Sequence, residues 1–128
     1  MINIRKRNEL SLSTIITQPF TKQNFLNPGD FISVNLSYPF TEELYDKKLK
    51  GLTNLINNKI IVSTNNHYNV VFDLTKGIPG EYKDWKFVID YAKKHNILIK
   101  LNSLYAYTPT ELELYIEKFV KTNSYGQK

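Results

Sequence analysis

After Phe31 the chain alternates between segments of strand period and segments of helix period, in the order strand, helix, strand, strand, helix, strand, helix. This is the split β-α-β unit repeated once with a helix added. It predicts an α+β, ferredoxin-like fold: a four-stranded antiparallel sheet with two helices on one face, an N-terminal extension and an extra C-terminal helix. Three features carry the expectation. Ile32, Val34 and Leu36 alternate with Ser33, Asn35 and Ser37, the period-2 pattern of a half-buried strand. Residues 41–56 and 81–95 place apolar side chains at helical spacing. Two β-branched runs, residues 59–64 and 68–74, flank Asn65-Asn66-His67, a turn sequence that reads as an antiparallel hairpin. An alternative leaves residues 60–62 in a loop and alternates three parallel strands with three helices, as in a small regulatory α/β domain.

Residues 1–30 read as an extended N-terminal arm. Leu10-Ser11-Leu12-Ser13 alternates like a strand, but Pro19, Asn24, Asn27, Pro28 and Gly29 interrupt it. A single domain is expected over residues 31–122 and a tail over 123–128. Pro39 ends the first strand, and Thr41 can cap the following helix, with Glu42 and Glu43 at its positive end. Tyr45, Leu49, Leu52 and Ile56 form its apolar stripe, and Asn57-Asn58 stops it. In the second helix Tyr82, Trp85, Val88, Ile89 and Ala92 line one side, while Lys83, Asp84, Lys86, Asp90 and Lys93 line the other. Ile97, Ile99 and Leu101 share one face of a fourth strand. Thr108-Pro109-Thr110-Glu111 is a capping box with proline at the first helical position, followed by Leu112, Tyr115, Ile116, Phe119 and Val120 at helical spacing.

With 128 residues the chain is long enough for one modest core. A hydrophobic content of 41% with 23% charged residues is globular composition. Apolar runs such as Ile60-Ile61-Val62 fall far short of the roughly 20 residues of a membrane span, so no membrane insertion is expected. The opening Met-Ile-Asn-Ile-Arg-Lys-Arg lacks the apolar core of a secretory signal, which points to an intracellular protein of a bacterial cytoplasm or an organellar matrix such as the mitochondrion. The absence of cysteine excludes disulfides, thiolate nucleophiles, iron–sulfur clusters and cysteine-ligated zinc. The net charge of +5 favours a polyanionic partner. Fifteen lysines against two arginines, with abundant asparagine, also reflect the codons of an AT-rich genome.

No catalytic, cofactor or metal site is expected. The two histidines, His67 in the turn and His95 at a helix end, have no second ligand at metal spacing. Asp73 closes Val70-Val71-Phe72, and an acid at the end of a central strand is a favoured catalytic position, but no partner stands near it in the sequence. No Walker-type loop, dinucleotide fingerprint or nucleophile elbow is present. The candidate nucleic-acid-binding set is Arg5, Lys6 and Arg7 on the arm, Lys76, Lys93, Lys94 and Lys100, with Tyr105 and Tyr107 in a loop as stacking rings. Lys76-Gly77-Ile78-Pro79-Gly80 offers an anion a helix N-terminus. Phe40, Tyr45, Tyr68 and Tyr125 are further aromatic candidates.

The run Ile32-Ser33-Val34-Asn35-Leu36, the helix over residues 41–56, residues 59–63 and Tyr68-Asn69-Val70-Val71 together resemble the tenth small-subunit ribosomal protein family. That resemblance implies a ferredoxin-like sheet packed against ribosomal RNA and neighbouring proteins of a larger assembly. Separately, Asn69-Val70-Val71-Phe72-Asp73-Leu74 is similar to the strand that precedes the regulatory helix of STAS domains, with Thr75-Lys76-Gly77-Ile78-Pro79 where those carry a Ser-rich phosphorylation turn. The expected function is that of a non-catalytic, basic, RNA-associated protein, a diverged ribosomal or ribonucleoprotein component. Its alternatives are a STAS-like protein-binding regulator and a small metal-independent RNase toxin using His67.

Overall fold

The structure, a computed structural model, describes residues 1–19 and 21–121; the expected tail at 123–128, with Tyr125, lies outside the described residues. In chain order the elements are β1 (Ile2–Asn3), β2 (Glu9–Ser11), α1 (Leu12–Ile16), β3 (Asn24–Leu26), β4 (Phe31–Asn35), α2 (Glu42–Asn57), β5 (Ile61–Ser63), β6 (Val70–Asp73), α3 (Tyr82–His95), β7 (Leu98–Lys100), β8 (Tyr105–Tyr107) and α4 (Pro109–Tyr115), which runs on into a π-helical segment, Ile116–Lys121. Local chemistry sets the helix ends. Thr41 accepts a hydrogen bond from the Leu44 amide at 3.3 Å, and Thr108 and Glu111 close a reciprocal capping box on α4. Asn96 ends α3 in the left-handed conformation that asparagine tolerates.

The sheet overturns the ferredoxin-like expectation. Six strands are arranged in the order β1-β8-β7-β6-β4-β2, and β2, β4, β6 and β7 all run parallel. Only β8 against β7 and β1 against β8 are antiparallel, and the sheet curls into a half-barrel. The expected hairpin between residues 59–64 and 68–74 does not form: β5 pairs in parallel with β3 in a separate two-stranded sheet, and β6 lies between β4 and β7. The physical reason is burial on both faces. Val71, Phe72, Asp73 and Leu74 are all buried, as are Phe31 to Val34, and strands covered on both sides belong to parallel sheets with helical crossovers rather than to half-solvated hairpins. Residues 1–30 supply β1, β2, α1 and β3, with Ile4, Leu12, Ile15 and Leu26 buried. Residues 105–107, expected in a loop, form β8.

Alternation along the strands separates two apolar layers. Ile32, Val34, Phe72 and Ile99 point to one face and pack with buried residues from all four helices, among them Ile15, Tyr45, Leu52, Trp85, Val88 and Leu112. The opposite face, called here the inner face, holds a smaller cluster of Ile4, Phe31, Val71 and Ala106. Gly77 sits so close to Ser37 that an added Cβ would approach the serine Cβ to 2.5 Å, which anchors the β6–α3 loop beside the end of β4.

At the centre of the helical layer Tyr45 is fully buried, its ring edge-on to Phe72, Phe87 and Tyr91. Its hydroxyl finds no hydrogen-bond partner among the described residues. Burial, aided by the nearby charge of Asp84, pushes its pKa well above the ordinary tyrosine value. Burial and a 2.5 Å hydrogen bond donated to Asp46 do the same for Tyr91. On the surface Tyr82 donates to Glu117, and that bond pushes its pKa up to about 12. A phenol whose folded pKa is raised stabilises the fold below its unfolded value of about 10 and loses that contribution as the pH climbs through the folded value. Stability should therefore fall above about pH 10. In a spectrophotometric titration near pH 11 the native chain should show fewer phenolates than the urea-unfolded chain, and Tyr91→Phe should narrow the difference. Equal phenolate yields from folded and unfolded chains would contradict the buried cluster.

Candidate functional site at the strand ends

Each of the four parallel strands ends on the inner face in a polar side chain: Ser11 on β2, Asn35 on β4, Asp73 on β6 and Lys100 on β7. The register sets Asn35 opposite Asp73 and Asp73 opposite Lys100, so these three form one row across the sheet. Ser13, just past β2, joins them: its Oγ accepts from Asn35 Nδ2 at 3.5 Å and lies 2.9 Å from Ser11 Oγ. One row below, Ser33 on β4 is buried opposite Ser11. The C-terminal end of parallel strands is where α/β folds present their ligand-binding groups.

Lys100 joins the row into a network. Its Nζ donates to Glu9 Oε2 at 3.0 Å and lies 3.6 Å from Asp73 Oδ2. The other Asp73 oxygen accepts from the Thr75 backbone N–H at 2.9 Å and from its hydroxyl at 2.6 Å, an Asx turn that turns the chain out of β6. Lys100 and Asp73 are almost buried, their side chains 11% and 10% exposed, while Glu9 at 34% opens the cluster to solvent. Two carboxylates and one ammonium leave the group formally at one negative charge. Acceptors, one cationic donor, hydroxyls and a carboxamide thus face the same space.

The structure disperses the sequence-expected nucleic-acid set. Arg5, Lys6 and Arg7 are exposed in the turn after β1 and, with Asn3, line a shallow concavity of about 400 Å³. Lys76 is exposed in the β6–α3 loop. Lys93 and Lys94 are exposed in the last turn of α3, and Lys93 is held 2.7 Å from Glu113 of α4. Lys100, expected as a phosphate-binding lysine, is instead buried and paired, because its strand is interior and its alternation points it inward. Tyr105 and Tyr107 are half-buried on β8 and flank Ala106 of the inner face, so both project toward the helical side, away from the strand-end row. Phe40 and Tyr68 pack against the helical layer, as does the buried Tyr45. The apolar side of α3, the surface a STAS-like regulator would offer a partner, is buried against the sheet.

His67 is exposed, and its backbone N–H donates to Ser63 Oγ at 3.2 Å and to Asn65 Oδ1 at 3.1 Å. His95 lies against Tyr91, ring centroids 4.4 Å apart. No group of three or more histidine or acidic side chains able to hold a metal occurs among the described residues, and no described helix is long and apolar enough to cross a membrane.

Sequence reasoning noted Asp73 but found it alone; its partners, Glu9 and Lys100, lie far away along the chain. The available signal was that three β-branched runs each end in a polar residue, Asn35, Asp73 and Lys100, which acquires meaning only once the strands are known to be parallel. No protein-family model matches this chain, and no curated protein or solved structure matches it either.

Removing the ammonium strands two carboxylates. Lys100→Met should lower the unfolding free energy by about 3 kcal/mol in urea denaturation, whereas Glu9→Gln, at the solvent edge, should cost less than about 1 kcal/mol. A Lys100→Met chain as stable as the parent would show that the network does not brace the sheet.

Proposed function

We propose that the inner face binds a small, uncharged, polyhydroxylated molecule of the sugar class at the C-terminal ends of β2, β4, β6 and β7. The observation that supports this is the row of polar strand-end residues, contributed by successive parallel strands to the face opposite the main helical layer. Serine hydroxyls and the Asn35 carboxamide both donate and accept, the carboxylates accept from hydroxyls, and Lys100 donates. The negative balance of Glu9, Asp73 and Lys100 disfavours an anion.

Titrating isotopically labelled protein with D-glucose or D-ribose should shift the backbone amides of Ser11, Ser13, Asn35, Thr75 and Lys100, while acetate should leave them in place. Asn35→Ala should weaken the sugar by about tenfold, the loss of one hydrogen bond. Amides that ignore both sugars, or an Asn35→Ala chain that binds them as well as the parent, would reject the reading.

A second reading, RNA binding by a non-catalytic ribonucleoprotein component, is favoured by a separate observation: Arg5, Lys6 and Arg7 are exposed together along one concavity whose lining contains no carboxylate. In this reading Lys76 and Lys94 extend the basic surface and Lys100 has no part. Binding to single-stranded poly(U) should weaken as salt rises. The triple substitution of Arg5, Lys6 and Arg7 to alanine should flatten the dependence of log K on log salt by about 2, from three lost phosphate contacts. An unchanged slope removes the turn from any RNA interface.

A further inference from the structure

A cavity of about 520 Å³ lies on the helical side between the β7–β8 loop, α3 and α4, and is separate from the strand-end row. Its size falls among small-ligand sites. Three aromatic side chains, Trp85, Tyr107 and Tyr115, contribute to its wall, together with a single carboxylate, Glu111. The two oxygens of that carboxylate have different surroundings. Oε1 closes the α4 cap, accepting from the Thr108 amide at 2.9 Å and from its hydroxyl at 3.0 Å. Oε2 is not needed for the cap and pairs with the α-ammonium of Met1, which also lines the cavity.

We propose that this cavity is a binding site for a small organic ammonium ion, with Trp85, Tyr107 and Tyr115 as the aromatic walls and Glu111 Oε2 as the counter-charge. The chemistry is that of an aromatic cage: ring faces carry the negative part of the quadrupole and attract an alkylated ammonium that is poorly hydrated and therefore cheap to bury. The α-ammonium of Met1 already sits at the carboxylate, so the polar end of the cavity accepts this charge type. An incoming ligand would displace it, leaving its alkyl groups against Trp85 and Leu112. Trp85 is 4% exposed and Leu112 3%, so both walls are set by the core rather than by mobile surface side chains.

Trp85 is the sole tryptophan, so its fluorescence reports on this cavity directly. The full chain is titrated with choline and, in parallel, with 3,3-dimethyl-1-butanol, which has the same shape without the charge. Choline should change the emission saturably, and the uncharged isostere should bind about tenfold more weakly. Glu111→Gln, which retains an acceptor for the capping box, should reduce choline affinity about fivefold or more while the chain stays folded by circular dichroism. Tyr115→Leu removes one wall at a position 49% exposed, where folding is not at stake, and should also weaken choline. Equal affinity for choline and its isostere overturns the proposal by making the cavity merely apolar. It is equally overturned by an emission that never saturates, or by Glu111→Gln and Tyr115→Leu chains that bind choline like the parent.

Discussion

The contact between Lys100 and Glu9 marks the curl of the sheet, the constraint on which the architecture turns. Their strands, β7 and β2, are separated by β6 and β4, which in a flat sheet would place them about 14 Å apart. Nζ and Oε2 nevertheless meet at 3.0 Å, with Asp73 from the intervening β6 against the same ammonium. Only a sheet curled about its inner face allows this. The lysine therefore acts across the curl as a chord, tying the open edge strand β2 to the far side of the parallel set. Because both Lys100 and Asp73 are nearly buried, each would be costly alone and is tolerable only because the other is present.

The helices follow from the same topology. The parallel strands lie in space in the order in which they occur in the chain, and successive right-handed crossovers then deposit α1, α2 and α3 on one face, where α4 also packs. That face becomes the thick apolar layer, with Tyr45 and its aromatic neighbours at the centre. The inner face receives only the small cluster around Phe31 and Val71, closed from one side by Ile4 of the N-terminal segment. Division of labour results: one face carries most of the apolar burial, and the other is left free to hold polar side chains at its strand ends.

Charge in this protein is distributed rather than concentrated. Several surface cations are engaged locally, Lys86 with Asp90 along α3 and Lys93 with Glu113 between α3 and α4, pairs that contribute little to stability but reduce the field of the basic surface. The basic turn at Arg5, Lys6 and Arg7 stands out because its cations are adjacent in space as well as in sequence. The strand-end row and the aromatic cavity, in contrast, draw on residues from distant parts of the chain.

The amino-acid sequence by itself determined the three longer helices and their ends, because a helix closes its hydrogen bonds within four residues and its caps, Thr41 and the Thr108–Glu111 box, are equally local. It also indicated four of the eight described strands, β4, β5, β6 and β7, through β-branched runs and period-2 alternation, but not β1, β2, β3 or β8. Strand pairing was decided only by the tertiary structure, since a strand's partner lies outside its own segment, and a β-branched run beside Asn65-Asn66-His67 is as compatible with a hairpin as with two separate sheets. Ser33, inner-facing and polar, looked solvated in the sequence and is buried in the fold. The same holds for the site. Asp73 was visible as an acid at a strand end, but that Glu9 and Lys100 would stand beside it depended on the order and curl of the strands. Lys100, one lysine among fifteen in composition, became a buried cation only because β7 is an interior strand and alternation turned its side chain toward the inner face.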